Sequence, residues 1–289
     1  TDLTLDDMIP SIRQEAGSGL TFRSCSWFST YRIHHRRAQH FRDRRCFLLG
    51  DAAHIHSPVG AQGMNTGLQD AYNLGWKLAL VVSQGAGPAL LDSYEAERIP
   101  VAQRLLSTTD RAFAMVVSNS RAAGLFRTRI VPRILALAMR VERIRRLAFL
   151  TISQIGIHYR NSSLSENVPG LPDAAPRAGD RFPWLRLKLS PDGAPEDLYG
   201  KLDDTRFTLI VIGQPAPGGG VPGLGDLLRV LQVPSDPANE RELERVHIPR
   251  IAFYLLRPDG HVGLAGVRLE TEALALYISD YLHLGIPHH

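Results

Sequence analysis

The residues best suited to bind a ligand lie in the segment 50–77, which reads GDAAHIHSPVGAQGMNTGLQDAYNLGWK. Asp51 follows a short apolar run and can accept hydrogen bonds from ribityl or ribose hydroxyl groups, while the small residues after it let a ligand approach the backbone. Gly60, Gly63 and Gly67 surround the expected start of a helix, where exposed amides and the helix dipole stabilise negative charge. The segment therefore predicts a site for a ligand that carries hydroxyl groups and negative charge.

Histidines near this segment offer weaker alternatives. His54 and His56 could form a metal-binding pair at i,i+2 spacing, but no third ligand follows at a suitable distance. We therefore interpret them as loop histidines and predict no metal site. The basic turn at residues 34–37 could line an active site or bind a phosphate group, although a solvated basic turn is the simpler interpretation.

A buried strand and a helix are expected to position these residues. The wholly apolar run at residues 46–49 predicts a short strand buried on both faces. Apolar residues then recur at helical spacing and predict a helix that begins near residues 63–66 and ends before Gly85. We expect residues 51–65 to form a loop that crosses the end of the strand and enters this helix, and a helix at residues 48–51 would contradict this assignment.

Further elements are expected on both sides of this unit. Residues 4–15 predict a helix capped by Thr4, with Asp7 three positions later, that packs on a sheet. Residues 20–33 are rich in Phe, Trp and Thr and favour one or two strands. Additional helices are expected from about residue 89, with a bend or end at Pro100, and in pieces over residues 111–155.

The C-terminal part of the sequence predicts a small α/β unit. Residues 161–183 are rich in Ser, Pro, Gly and Asp, which is typical of a linker, with a domain boundary near residues 165–175. A hairpin is expected around Pro258, Asp259 and Gly260. The other elements are a strand at residues 207–212, a loop at 215–225, a helix or strand at 227–233 and a closing helix at 270–282.

Composition limits the class of protein. With 44% hydrophobic and 21% charged residues, the chain of 289 residues is typical of soluble globular proteins and not of disordered or fibrous ones. No apolar run approaches the roughly 20 residues that span a bilayer. Cys25 and Cys46 form no disulfide framework, which favours a cytoplasmic location. The chain begins at Thr1 without an initiator Met or a secretion leader, which indicates truncation.

One segment is strongly basic. Residues 121–146 contain eight arginines and one acid, Glu142, within a chain of net charge +4. Such a patch could contact nucleic acid, an anionic membrane or an acidic face of the same protein. Lysine is nearly absent and no nucleic-acid-binding motif accompanies the patch. We therefore interpret it as a solvated or domain-facing helix surface and predict neither nucleic acid nor a membrane as partner.

The segment at residues 50–77 resembles the second FAD motif of the flavin-dependent aromatic hydroxylases, which include phenol and hydroxybenzoate hydroxylases and antibiotic-modifying monooxygenases. A strand-loop-helix unit with glycines for packing alone would explain the glycines but not the polar residues between them. The residues that match the motif are Gly50, Asp51, Ala52, Ala53, His54, Pro58, Gly60, Gln62, Gly63, Asn65, Asp70, Ala71, Asn73, Leu74 and Lys77.

This resemblance implies a monooxygenase with FAD as cofactor and NAD(P)H as co-substrate, which uses oxygen to hydroxylate an aromatic or polyketide-like compound. It also implies that the backbone at residues 63–65 contacts the flavin ring and that Pro58, the catalytic candidate, faces the reactive edge of the ring. The cofactor-binding residues implied in this way are Gly50, Asp51, Pro58, Gly60, Gly63, Met64 and Asn65.

Two more segments resemble the same family. Residues 94–100 resemble the next family helix, in which Glu95, Glu97 and Arg98 are most simply surface or helix–helix ion pairs. Residues 257–262 resemble a turn in the thioredoxin-like C-terminal domain of these enzymes. That domain would lack a redox cysteine pair here, so the resemblance implies a structural role and contacts in a homodimer.

The resemblance implies an α/β fold in which part of a glutathione-reductase-like FAD-binding domain precedes the thioredoxin-like domain. The implied division is the end of a substrate-binding domain and its sheet at residues 1–44, the C-terminal part of the FAD-binding domain with a helical extension at 45–165, and the thioredoxin-like domain at 171–289.

The sequence also departs from the family pattern. Neither the GxGxxG motif of the family's N-terminal βαβ fold nor its later Asp-Gly motif occurs, so we expect the chain to lack the ADP-binding half of the site and to bind FAD poorly alone. One rival interpretation is another flavin-dependent oxidoreductase, such as a reductase or halogenase. Another is a non-enzymatic fragment or interaction module, which purified protein that does not take up flavin would favour.

Overall fold

The computed structural model describes residues 3–16, 19, 21–30, 34–56, 62–117, 124, 126–190, 192–218, 221 and 223–284. Its helices are α1 (Leu5–Ala16), α2 (Gly63–Ser83), α3 (Asp92–Val117), α4 (Val131–Ala138), α5 (Glu142–Ile152), α6 (Pro237–Arg245) and α7 (Thr271–Leu276). Its strands are β1 (Arg36–Arg37), β2 (Arg42–Asp43), β3 (Cys46–Phe47), β4 (His54–Ile55), β5 (Glu166–Asn167), β6 (Arg186–Leu187), β7 (Glu196–Asp197), β8 (Phe207–Ile212), β9 (Leu228–Val233), β10 (Ala252–Leu256) and β11 (Val262–Gly266).

A five-stranded mixed sheet has the strand order β5-β11-β10-β8-β9. Strand β8 runs parallel to β9 and antiparallel to β10, β10 and β11 form an antiparallel hairpin, and β5 lies parallel to β11. Every residue of β8, β10 and β11 is buried. Because successive side chains of a strand point to opposite faces, both faces of this sheet must be covered.

Helix α2 covers one of these faces. Its residues Trp76 and Leu80 belong to the same apolar cluster as Leu209 and Val211 of β8. The Trp76 ring meets Phe207 edge-on, with 5.8 Å between ring centroids, and its indole nitrogen donates to Asp259 Oδ2 at 3.1 Å. The C-terminal half of α2 is therefore fixed on the sheet, while its N-terminal end carries the predicted site residues.

The alternate residues of β8 and β10 form a second apolar cluster on the opposite face. Ile210 and Ile212 lie there with Phe182 and with Leu243 of α6. A third, smaller cluster holds the N-terminal hairpins against α2 and α3, and it contains Phe41, Ala53, Leu74, Leu91, Tyr94 and Ala102.

Much of the predicted element order is confirmed. Helix α1 begins where expected, and Thr4 and Asp7 exchange the bonds of a capping box, from Thr4 N to Asp7 Oδ2 at 2.9 Å and from Asp7 N to Thr4 Oγ1 at 3.4 Å. Strand β8, the hairpin and the closing helix α7 also lie at the predicted positions. Residues 228–233 form a strand, and α3 continues through Pro100 without ending.

Predictions near the N-terminus are wrong in three respects. Of the predicted strand region at residues 20–33, residues 21–30 contain no strand and are exposed, while 20 and 31–33 lie outside the described residues. Helix α1 has no buried residue, so it does not pack on a sheet. The strand in residues 46–49 is limited to β3, and Leu48 and Leu49 are 40% and 38% exposed. In the described part of the chain β3 pairs only with β2, so it is an edge strand and not a central strand of a larger sheet.

The predicted linker at residues 161–183 is wrong as a description of this segment, because the segment is packed. Within it β5 pairs with β11, and Ala178 and Phe182 are buried. Gly179 has a positive φ of +85°, donates from its N to Val262 O at 2.7 Å and accepts from Tyr159 N at 2.7 Å. The Ser, Pro and Gly content therefore reflects tight turns against the sheet.

Helix α6 has no counterpart among the sequence-based predictions. Its signals are nevertheless present, since Asp236 accepts from Ala238 N at 2.8 Å as the N-cap and Pro237 stands at the first helical position. Helices α4 and α5 contain no buried residue, which agrees with an exposed basic surface. Within the described ranges, none of the helices has the length and apolar character needed to traverse a bilayer.

Candidate functional site

The turn that carries Asp51 is a single 3-10 turn at Gly50–Ala52 that is preceded by extended backbone at Leu49. Gly50 has a φ of +56°, which favours glycine. A Cβ atom on Gly67 of α2 would lie 3.2 Å from the Gly50 Cα, so glycine lets the helix approach this turn closely. Gly50 and Asp51 lie in this 3-10 turn but Leu48 and Leu49 are not helical, so residues 48–51 do not form the helix that would contradict the motif assignment.

The connection from this turn to α2 is not one continuous loop as predicted, since β4 interrupts it and pairs with β1. Asp51 is exposed, and in the described part of the chain no residue hydrogen-bonds to its carboxylate. Pro58 and Gly60 lie outside the described residues. The structure therefore places Gly50 and Asp51 beside α2, with an acceptor side chain open to a ligand.

The N-terminal end of α2 presents Gly63, Met64 and Asn65. The preceding residue, Gln62, gives no side-chain cap, and Met64 is 76% exposed. The first amides of a helix have no partner within the helix and carry positive potential. A Cβ atom on Gly63 would lie 2.9 Å from His56 Nε2, so the absence of a side chain leaves room for the His56 ring.

Asp70 connects the turn to both long helices. Its Oδ2 accepts from Gly50 N at 3.0 Å and contacts His54 Nε2 at 2.7 Å, while its Oδ1 accepts from Arg98 Nε at 2.6 Å. Burial alone would raise the pKa of Asp70, but hydrogen bonds and charge from His54, Arg98 and Gly50 outweigh it and hold this pKa below its usual value. Asp70 is thus an ionised, fully engaged acceptor.

His54 is a buried residue of strand β4 and not the loop histidine that the sequence suggested. It is 2% exposed, its Nε2 is bound to Asp70, and its Nδ1 is buried and has no hydrogen-bond partner in the described part of the chain. Its ring stacks with that of His56 at 6.4 Å between centroids. No group of three or more metal-ligating side chains occurs among the residues that the structure describes, and the prediction of no metal site stays a prediction.

A second buried network joins α2 and α3 to the hairpin turn. Glu97 accepts from Lys77 Nζ at 2.8 Å and from Arg257 Nη1 at 2.7 Å, and Arg257 also pairs with Asp259. Burial lowers the pKa of Lys77 to about 8, although the charge of Glu97 opposes this shift. Glu97 and Arg98 therefore form helix–helix ion pairs as predicted, but in the interior and not on the surface.

The sequence did not predict that Arg257 of the hairpin contacts Glu97 of α3. Arg257 stands 160 positions after Glu97, and the spacing rules that predict neighbours on one helix do not extend to such a distance. The only signal was that Arg257, Asp259 and Glu97 all lie in segments with a family resemblance. The structure shows that they meet in one cluster.

Comparisons with known proteins indicate the family to which this chain is related. Residues 1–109 match the family model described as FAD binding domain. The chain is 35% identical over 286 residues to the uncharacterized aromatic compound monooxygenase YhjG of Bacillus subtilis (strain 168), which covers 98% of this chain and 51% of that protein. It is 32% identical over 299 residues to 6-methylpretetramide 4-monooxygenase of Streptomyces rimosus, covering 95% and 51%.

A solved structure has a similar fold. The OxyS anhydrotetracycline hydroxylase from Streptomyces rimosus superposes with a TM-score of 0.71 at 27% identity, covering 97% of this chain and 53% of that one. The protein is a mixed α/β relative of the FAD-dependent aromatic hydroxylases. The chain spans about half the length of the curated relatives it matches.

Proposed function

We propose that the chain supplies the flavin-ring side of the FAD site in a monooxygenase that hydroxylates an aromatic or polyketide-like compound with NAD(P)H and oxygen. The observation that carries this proposal is the Gly50–Ala52 turn packed against α2, in residues that match an FAD binding domain. The similarity to proteins named as aromatic compound and 6-methylpretetramide monooxygenases supports the reaction type and the substrate class.

The residues of this chain fit FAD by their chemistry. Asp51 offers an exposed carboxylate to ribityl hydroxyl groups, and the Gly50 backbone permits close approach. Gly63, Met64 and Asn65 offer the amides of a helix N-terminus to the electron-rich side of the flavin ring. When bound, FAD would supply the transfer of electrons from NAD(P)H and the activation of oxygen. Pro58 and Gly60 complete this proposed set by resemblance alone.

For the C-terminal part we propose a thioredoxin-like domain with a structural role. A mixed sheet with parallel and antiparallel pairs and cover on both faces supports it, and Cys25 and Cys46 both precede the sheet. The division at residues 1–44, 45–165 and 171–289, a cytoplasmic location and a homodimer remain predictions. Strand β5 begins at Glu166, so part of the sheet precedes the proposed boundary at residue 171.

The proposal is tested by flavin binding and turnover. We would titrate FAD into the 289-residue chain and into the complete polypeptide that contains it, following the quenching of flavin fluorescence. NAD(P)H oxidation would then be followed with phenols and polyketide aromatics. We expect the complete polypeptide to bind FAD and this chain alone to bind it weakly. A complete polypeptide that takes up no flavin would favour the non-enzymatic alternative, and flavin-dependent halogenation or reduction without hydroxylation would favour the other flavoenzyme class.

A further inference from the structure

The Asp70 carboxylate of α2 contacts the Gly50 turn, the His54 ring and Arg98 of α3. Within the described site, no other carboxylate joins these three parts. It is 1% exposed, and Arg98, which is equally buried, holds the side of the carboxylate that faces away from the turn. Arg98 is itself fixed by Tyr159 Oη at 2.8 Å and by Thr66 O at 3.2 Å. The carboxylate therefore has little freedom to move.

This arrangement dictates the protonation pattern of His54. An ionised carboxylate only accepts hydrogen bonds, so the His54 nitrogen 2.7 Å from Asp70, Nε2, must carry the proton. In neutral His54 the proton is then on Nε2, and Nδ1 keeps a free lone pair. Among the described residues, that Nδ1 is one of the buried side-chain atoms without a partner, and it is a hydrogen-bond acceptor in the segment that matches an FAD binding domain.

The same carboxylate oxygen also fixes the backbone of the turn. Gly50 N donates to it at 3.0 Å, and Gly50 is the residue whose φ of +56° directs the chain into the turn at Asp51. A hydrogen bond to a charged acceptor is stronger than one to a neutral acceptor. Asp70 can therefore set both the backbone of the cofactor-binding turn and the acceptor face of His54.

We propose that Asp70 is a positioning residue that holds the Gly50–Ala52 turn and fixes the Nε2-protonated form of His54, so that both are preorganised for FAD. This inference rests on the proposed function. It assigns Asp70 a role beyond that of an ion pair between α2 and α3, because an ion pair alone would not depend on the turn or on the tautomer.

The test uses Asp70→Asn in the 289-residue chain. An amide presents one acceptor and one donor, and the permanent charge of Arg98 will hold the acceptor oxygen. The amide NH2 group will then face His54 and Gly50, so His54 should switch its proton to Nδ1 and the Gly50 amide should lose its partner. We expect Gly50 amide exchange in this chain to accelerate about ten- to a hundredfold, and FAD to bind about tenfold more weakly to the complete polypeptide that carries the same substitution. Imidazole 15N shifts report the tautomer.

Glu95→Gln is the matched control. Glu95 accepts from Phe41 N at 2.6 Å and from Arg42 N at 3.1 Å and contacts His40, so it repeats the carboxylate, backbone and histidine pattern in a different turn. It should alter exchange at Phe41 and Arg42 and leave Gly50, His54 and FAD affinity unchanged. If Glu95→Gln changes those quantities as Asp70→Asn does, the effect is general destabilisation and the inference is wrong.

The wild-type chain provides a test that requires no variant. Neutral His54 protonated on Nε2 supports the inference, and neutral His54 protonated on Nδ1 overturns it. Unchanged FAD affinity in Asp70→Asn, despite faster Gly50 exchange, would also overturn it. If neither the wild-type chain nor the complete polypeptide binds FAD, the proposed function fails, and the link from Asp70 to the cofactor fails with it. The exchange and tautomer results would in that case still show whether Asp70 orders the turn.

Discussion

Asp51 lies in a one-turn helix with a positive-φ glycine before it, and the chain repeats this local structure elsewhere. Gly225–Leu227 is also a 3-10 turn, it begins with a Gly-Asp pair, and Gly225 has a φ of +44°. The surroundings distinguish the first turn, because Gly67 of α2 packs against Gly50, whereas no atom of the described residues lies within 4 Å of a Cβ atom placed on Gly225. A Gly-Asp pair alone therefore does not define a site, and the proposed role of Asp51 depends on the position of its turn beside α2.

This pair of turns gives a controlled test at the scale of one residue. Replacing Asp51 by Ala removes a charged acceptor for sugar hydroxyl groups, and such bonds contribute roughly 1.5–3 kcal/mol each. FAD affinity of the complete polypeptide should fall about ten- to a hundredfold. Fluorescence titration should show no change for Asp226→Ala, the matched control. Equal affinities of wild type and Asp51→Ala would show that Asp51 does not bind the cofactor.

Among the structural elements, short sequence patterns correctly predicted the features that depend on neighbouring residues alone. The capping box at Thr4 and the turn at Gly260 depend on residues within a few positions, and both were predicted from sequence. The burial of β3 and the pairing of β5 depend on which strands become neighbours, and no local pattern contains that information. His54 shows the same limit, since its partner Asp70 is 16 positions away on a helix.

The packed segment before the sheet should be sensitive to a side chain at Gly179. A Cβ atom on Gly179 would lie 2.5 Å from the Arg160 N and from the Tyr159 carbonyl carbon, both in the backbone, and φ there is +85°. Gly179→Ala should therefore lower the free energy of unfolding by about 2 kcal/mol or more. Urea denaturation would measure this.

Gly200→Ala is the control for this substitution. No atom of the residues that the structure describes lies within 4 Å of a Cβ atom placed on Gly200, so the variant should be near wild type. A free linker at residues 161–183 would tolerate Gly179→Ala just as well. Similar stabilities of the two variants would therefore restore the linker interpretation.

For the whole molecule, the network around Glu97 is a buried polar connection between the helix pair and the sheet. Burial raises the pKa of Glu97 and of Asp259, but the charge of Arg257 outweighs this and depresses both. A carboxylate with a depressed pKa in the folded state stabilises the protein above its unfolded pKa, and this stability is lost as pH falls through the folded pKa. The connection should thus weaken on acidification below about pH 4.

Stability measured between pH 7 and pH 2 would check this sign. Glu97→Gln should reduce the slope of the unfolding free energy against pH in the acid range, because one of the responsible carboxylates no longer titrates. Its stability at pH 7 should be lower than that of wild type. An identical slope in wild type and variant would mean that other carboxylates cause the acid sensitivity.

Arg257 tests whether this network holds the molecule together. It is 2% exposed and neutralises two buried carboxylates, with its Nη1 at 2.7 Å from Glu97 Oε1 and its Nη2 paired with Asp259. Removing one partner of a buried pair leaves an uncompensated charge and costs about 3–5 kcal/mol. Arg257→Met should therefore lower the unfolding free energy by this amount. Circular dichroism during urea denaturation would measure it.

The control for this variant is Arg250→Met. Arg250 also pairs with a glutamate, at 3.3 Å from Glu240 Oε2, but its side chain is 85% exposed. Exposed pairs contribute about 0–1 kcal/mol, so this variant should remain close to wild type. If Arg257→Met were equally mild, apolar contacts such as that of Trp76 with Phe207 would suffice to hold α2 on the sheet, and the buried charges would serve another purpose.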